Sequence, residues 1–533
     1  MRIKFREIKF FFLLVLILFA FFSFFHFLPG IVMWDEAGYI WEGYRVHEAL
    51  RAGNWQEFLK ITQSQFYYPF FQSWFLGLTT IFLPYNFFTA RLVSFLLIFP
   101  TALLIYQISL KISGKKSLAS FLVLFFLFTS PLILYYYSTA MKEGLGTVLT
   151  LLAFWFYIKG REEKKLFWFF LSGLVSLILT LTKYNYGVLV LMVLGLEFFF
   201  WRRLKENLIL FLPVFLVLAI WLSPSGRWQE FWLILQNRFT IHLYETTVIG
   251  HLLYYPLVLA FEYFFSPLVF LLAFLGFVYS FKWWPRDFRL RILGFLFLIN
   301  FILAERHMGN NQGRFIFTSV PGFLVVASFG LEKILFLIFS FFKKIILRQT
   351  FLGGIFFSGF LIFGGVILKD LIFLPKILRP TVSHESDTAV FYEQDQYRSW
   401  RFDFTRDNWP HQYPDYQKQE KQEDVFKFIF SQVDLRKPVI PLNFTNEFSP
   451  LLFNFYFAVG QKAGWGIRED KYSSYFIVLE IKEGGMLDTV DFRKANLGTA
   501  LQAKEFLISN REKKIAEKEF PTLGLTVHIL ATP

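Results

Sequence analysis

The chain contains no cysteine. Disulfides, thiolate metal centres and cysteine nucleophiles are therefore excluded, although this absence does not fix the redox compartment. Histidine is sparse, with eight residues among 533, and none of them shows metal-ligand spacing. Soluble nucleotide and hydrolase signatures are also missing. There is no P-loop, HExxH or GxSxG, and "GLG" at 144–146 lacks a third glycine and a preceding strand. Acids are outnumbered, 40 Asp and Glu against 54 Lys and Arg, for a formal net charge of +14. In a soluble protein that balance would suggest nucleic acid. Here the bases sit mainly in short loops between apolar runs. That distribution points to membrane topology and anionic headgroups, with no nucleic-acid partner.

What the chain has in excess is apolar. It is 55% hydrophobic, with 76 Phe, and its mean hydropathy is +0.46. Length alone would suggest roughly three or four soluble domains, but recurring apolar runs of about 20 residues read as membrane spans. About eleven are predicted, near 10–28, 90–110, 117–137, 141–158, 166–182, 185–201, 207–222, 256–281, 290–304, 315–340 and 350–373. The first has a basic start and no small-residue cleavage site after it, so it reads as an uncleaved helix. "YYPFFQSWFLGLTTIFLP", 67–84, is apolar but bounded by proline and reads as a re-entrant or interfacial piece; a twelfth span is the rival reading.

Loop charge orders these spans. Alternate connections are basic: Arg2 to Lys9, Lys111 to Lys116, "KGREEKK" at 159–165, "WRRLKEN" at 201–207, "KWWPRDFRLR" at 282–291, and Lys343 to Arg348. These are expected on the cytoplasmic side. The others, including 29–89, 138–143, the turn at Lys183, 223–255, 305–314 and everything after about 374, are then outside. The expected fold class is an α-helical polytopic membrane protein, 1–374, with an outer loop at 29–89, followed by an extracytoplasmic soluble α/β domain at 375–533. In that domain "KPVIPLNF", "SSYFIVLEI" and "GLTVHILAT" read as strands; "SPLLFNFYFAVG" and the charged stretch 497–519 read as helices.

Three clusters could carry chemistry, all in outer connections. In "MWDEAGYIWEGYRV", Asp35 and Glu36 follow the first span. Acids suit a helix start and aromatic rings suit a membrane boundary, so this can be a capped surface helix. The functional alternative is a carboxylate that accepts a proton or binds a metal at the lipid–water boundary. Tyr39, Gly43, Val46 and Leu50 share one helical face, and the segment could lie flat on the membrane. In "LTLTKYNYG", Lys183 tops a hairpin; it either snorkels to headgroups or neutralises a lipid phosphate. In "AERHMGNNQGRFIF", Glu305, Arg306, His307 and Arg314 crowd a connection where the inside bias disfavours Arg. A guanidinium there suits bidentate phosphate binding or an ion pair with an acid. Lys142 and Glu143 occupy another outer turn, and Arg91 the outer end of "NFFTARLVSF". "NFT" at 443–445 matches a glycosylation acceptor, a pattern short enough to arise by chance.

The order "DEAGY", "YYPFFQSWFLG", "TARLVSFLL", "LTKYNYG", "GRFIFTSVP" resembles the polytopic C-type glycosyltransferases, in the branch of the polyprenyl-phosphate-mannose protein mannosyltransferases and the aminoarabinose–lipid A transferases. It covers about the first 340 residues. The resemblance implies sugar transfer from a polyprenyl-phosphate donor to a lipid, glycan or protein acceptor on the outer face of a prokaryotic plasma membrane. It makes Asp35 the catalytic base or metal ligand and Glu36 its companion. Lys183, Arg314 and Arg91 become donor-phosphate contacts, and Tyr39, Glu143, Arg306 and His307 candidate substrate contacts. A divalent metal, Mg or Mn, is a candidate partner of Asp35. Two positions depart from the family pattern: a single Pro69 stands where paired prolines are common, and Phe315 follows Arg314 where a tyrosine is common. The rival functions are a lipid-linked-sugar flippase, whose charges should lie at mid-membrane, an O-antigen-ligase-type enzyme and an external sensor.

Overall fold

The computed structural model describes residues 5–27, 34–66, 69–114, 118–200, 203–235, 255–256, 258–264, 267–305, 313–341, 422–442, 453–458, 472–481, 505–521 and 525–532. It is mostly helical, with one small sheet near the C-terminus. The long first helix α1, Phe5–Phe27, is followed by a set of shorter helices: α2 (Trp34–Arg51), α3 (Trp55–Ser64) and α4 (Phe71–Thr79). Then come α5 (Phe87–Leu96), α6 (Ile98–Ser113), α7 (Ala119–Thr129), α8 (Pro131–Tyr137), α9 (Lys142–Glu163), α10 (Leu166–Thr180), α11 (Tyr184–Phe200), α12 (Leu204–Leu222) and α13 (Arg227–Leu235). A π-helical turn, Leu259–Tyr263, precedes α14 (Pro267–Ser280) and α15 (Phe288–Glu305). A 3₁₀ segment, Gly313–Ser319, opens α16, Val320–Phe341.

These elements fall on ten of the eleven expected spans; 350–373 lies outside the described residues. Three described stretches are long and apolar enough to cross a membrane on length and composition: Phe87–Ser113, Leu204–Leu222 and Arg314–Leu337. Shorter apolar helices include Ala119–Thr129, Leu166–Thr180 and Tyr184–Phe200. Two expected spans are interrupted. In 117–137 the chain breaks at Ser130, whose side chain caps α8 with Pro131 in its first turn. In 256–281 the π-helical turn ends at Tyr263 and α14 begins at Pro267. Close crossings need glycine: a Cβ on Gly330 of α16 would lie 1.8 Å from the Gly276 carbonyl of α14.

The segment 67–84 does not form a span. At about 1.5 Å per residue, the nine residues of α4 are too short to cross a bilayer. Its partner is α2. A Cβ on Gly77 would lie 2.5 Å from Val46 Cγ1, and one on Gly43 would lie 2.4 Å from the Tyr85 hydroxyl. Tyr85 in turn donates to the Ile40 carbonyl at 2.9 Å. The face of Tyr39, Gly43 and Val46, expected to rest on lipid, is thus buried against protein.

The C-terminal part has α17, Gln422–Ser431, and four strands: β1 (Val439–Leu442), β2 (Ser474–Ile481), β3 (Lys514–Phe520) and β4 (Leu525–Thr532). Their order is β1-β2-β4-β3, parallel between β1 and β2 and antiparallel elsewhere. Of the stretch expected to be helical, 497–519, the described residues are helical at 505–509, with a 3₁₀ turn at Arg511–Lys513, and Lys514–Phe520 is the edge strand β3. Lys and Glu favour a helix locally. Pairing with the buried β4, Ala516 opposite Ile529 and Phe520 opposite Leu525, overrides that preference. An aromatic cluster attaches this part to α2 and α5: Phe455 lies 4.6 Å from Phe87 and 5.7 Å from Tyr44, and Tyr456 stacks on Phe426 at 4.2 Å.

Charged side chains gather at the two ends of the bundle. At one end Glu197 of α11, fully buried, receives Arg291 at 2.9 and 2.6 Å and pairs with Arg161. Close by, Arg289 bonds Asp287, the Lys111 carbonyl at 2.7 Å and Glu162 at 3.3 Å. These residues belong to or border four of the six connections read as cytoplasmic. The other end of α9, some 30 Å away at 1.5 Å per residue, carries the second cluster.

Candidate active site

Four separate devices bring the second cluster together. Glu36 fixes the start of α2. Its carboxylate takes Arg91 Nε at 2.8 Å and Nη2 at 2.7 Å, and also the Ala140 backbone N–H at 2.8 Å. The two side chains are 2% and 3% exposed, so one bidentate pair ties α2, α5 and the approach to α9. Gln72 of α4 reinforces that junction, donating to the carbonyls of Ala140 and Met141 at 3.2 and 3.4 Å.

Asp35, the residue before this clamp, faces the opposite way chemically. Its Oδ2 accepts from Arg314 Nη1 at 2.6 Å, and the two side chains are 19% and 18% exposed. Arg314 is placed by the tight 3₁₀ segment, which Asn300 pins by donating to the Phe315 carbonyl at 3.0 Å and to Ser319 Oγ at 2.9 Å.

Lys183 sits in the turn between α10 and α11, where its carbonyl accepts from the Tyr186 N–H at 3.0 Å. Its Nζ, in a side chain 22% exposed, lies 3.6 Å from Glu143 Oε1. Burial pushes the ammonium below its ordinary range, the Glu143 charge pulls it back up, and Arg314 pushes it down. The turn is tied to α4 by the Phe71 N–H, which donates to the Leu181 carbonyl at 3.0 Å.

The fourth device is the start of α9. Lys142 and Glu143 open this helix and both are buried. Lys142 Nζ makes a long contact, 3.5 Å, with the Pro69 carbonyl and lies 4.6 Å from the Tyr39 ring centroid. The charges of Lys183, Asp35 and Glu143 all act on it, and those of Asp35 and Glu143 both act on Arg314. Lys142, Lys183, Arg314 and the carboxylates of Asp35 and Glu143 thus form one electrostatic unit.

Of the residues singled out in the sequence, the structure brings Asp35, Tyr39, Glu143, Lys183 and Arg314 together. It couples Glu36 and Arg91 to each other. Arg306 and His307 lie outside the described residues. Lys142, which stood apart from the candidate set as a turn residue, is inside the cluster. So is Tyr186, whose hydroxyl touches both Lys183 and Glu143. The spacing of "KYNY" does signal the second: three residues apart on a helix start, Lys183 and Tyr186 share a face.

A divalent cation fits poorly here. Among the described residues no three His, Asp or Glu side chains come together as ligands. Asp35 is engaged by a guanidinium, and two lysines share its surroundings.

The whole-chain comparison decides the fold. The chain superposes on ArnT from Cupriavidus metallidurans in the apo state with a TM-score of 0.59 and 13% identity, over 97% of each chain. It has the C-type glycosyltransferase fold. The same protein bound to undecaprenyl phosphate gives a TM-score of 0.56, again at 13% identity, over 98% of this chain and 97% of that one. Residues 68–228 match the family model described as dolichyl-phosphate-mannose-protein mannosyltransferase. No curated protein sequence matches the chain. In this C-type fold the matched segment contains Arg91, Lys142, Glu143, Lys183 and Tyr186, whereas Asp35 and Arg314 flank it.

Proposed function

We propose that the protein is an integral membrane glycosyltransferase that moves a sugar from a polyprenyl-phosphate donor to an acceptor hydroxyl or amine at the outer face of the membrane. The observation that carries this reading is the meeting of Asp35, Lys183 and Arg314 at one end of a C-type helical bundle. The basic connections at the opposite end support a cytoplasmic position for that end and, with it, an outside position for the cluster.

The chemistry follows from charge placement. The bond between the anomeric carbon and the phosphate oxygen breaks with its electrons going to the lipid phosphate. That group leaves as an anion and needs no acid catalyst; Lys183 and Arg314 stabilise it. The acceptor oxygen or nitrogen bonds to the opposite face of the same carbon, and its proton passes to Asp35. Arg314 orients Asp35 in the resting protein; as the phosphate arrives, it supplies the guanidinium with a second anionic partner. Single displacement inverts the anomeric centre. Glu36 and Arg91, each satisfied by the other, act in this reading as the clamp that sets the backbone under Asp35 rather than as groups touching substrate.

The test is mass spectrometry of membrane glycolipids and envelope proteins from cells with and without the gene. One glycoform is expected to vanish on deletion and to return with the wild-type gene. Identical glycoform profiles in both strains would refute the transferase assignment.

A further inference from the structure

The two lysine and arginine pairs at this end are built differently. Arg91 is saturated by Glu36 through two short, parallel hydrogen bonds. Lys183 is not gripped in that way. At 3.6 Å its Nζ stands beyond ordinary hydrogen-bond distance from Glu143 Oε1. The Tyr186 hydroxyl bridges the gap, accepting from Nζ at 3.2 Å and donating to Oε1 at 3.1 Å. The Tyr186 ring also lies 4.5 Å from Nζ. Gly146 makes room for that ring, since a Cβ there would lie 2.5 Å from Tyr186 Cδ2. Glu143 is 1% exposed, and its Oε2 meets no donor among the described residues. The carboxylate therefore offsets the charge of Lys183 while leaving an ammonium with three donors able to turn to another acceptor.

We propose that Glu143 and Tyr186 are positioning residues that hold Lys183 between turnovers, yield it to the donor phosphate, and keep the site's net charge low enough for the lipid-phosphate product to leave. The inference rests on the placement of the donor phosphate at Lys183 made above. A phosphodiester donor carries one negative charge and the phosphomonoester product more, so the cations of the site attract the product more strongly than the donor. The Glu143 carboxylate offsets part of that attraction and so favours release. Without the Glu143 charge, that product would instead be retained.

The test uses the purified full chain and undecaprenyl phosphate as probe, at about pH 7, where the phosphomonoester carries most of its second negative charge. Glu143→Gln preserves shape and removes the charge. It is expected to tighten undecaprenyl phosphate binding by about tenfold or more and to strengthen product inhibition by the same lipid. Tyr186→Phe keeps the charge and removes the bridge. It is expected to weaken binding about threefold or more. A purely structural role would weaken binding in both variants. Shifts in the same direction, or shifts below about twofold in both, would overturn the proposal even if the wild-type protein binds the lipid. Failure of the wild-type protein to bind it would instead overturn the phosphate assignment itself.

Discussion

Asp35→Asn is expected to lower the rate of sugar transfer by about a hundred- to ten-thousandfold, the usual range for losing a general base, while undecaprenyl phosphate still binds as tightly as to the wild-type protein or more tightly. The two halves of this expectation come from the same contact. Asn cannot take the acceptor's proton at neutral pH, so the chemical step suffers. The substitution also removes the anion that engages Arg314 at 2.6 Å, so the guanidinium meets an incoming phosphate with less competition. The fall should therefore appear in kcat with the donor KM unchanged or reduced. Turnover and binding measured on one preparation check both halves. Wild-type turnover in the variant would remove Asp35 from the mechanism.

Breaking the Glu36–Arg91 pair should have the largest effect on stability. With both side chains at most 3% exposed, removal of either partner leaves a buried, uncompensated charge, which costs about 3–5 kcal/mol. Arg91→Met is expected to reduce folded protein severely, read as thermal unfolding in detergent and as yield. Glu36→Gln should do likewise, because the Ala140 N–H keeps an acceptor but Arg91 loses its anion. The double variant Glu36→Leu with Arg91→Leu should recover part of the loss, since apolar replacement of a whole buried pair is often tolerated. A Glu36→Gln protein that folds as well as wild type yet transfers no sugar would give Glu36 a direct role in catalysis instead.

Much of this arrangement is legible along the chain because membrane proteins write their topology in one dimension. Runs of apolar residues and the alternation of basic connections are both local signals. They place Asp35, Lys183 and Arg314 at one end although 279 positions separate the first from the last. Pairing is not local. Nothing in the letters distinguishes Arg91, which Glu36 consumes across 55 positions, from Lys183, which its carboxylate holds only loosely. Both read as bases at the outer end of a span. Lys142 is hidden for a related reason: next to Glu143 it looks like an ordinary charged turn, and only the packing of α4 and Tyr39 over the start of α9 shows it buried. The strand β3 shows the converse error, where local helix preference in "KIAEKEF" loses to a ladder with β4 set from outside the segment.

The central claim is that a lipid-linked phosphate binds between Lys183 and Arg314, beside Asp35. An electron cryo-microscopy structure of the protein with undecaprenyl phosphate tests it most directly. The phosphate is expected within hydrogen-bond reach of the Lys183 ammonium and the Arg314 guanidinium, about 2.7–3.2 Å, with the Glu36–Arg91 pair intact. A phosphate held at Arg91, or at the opposite end of the bundle by Arg161 and Arg291, would contradict it.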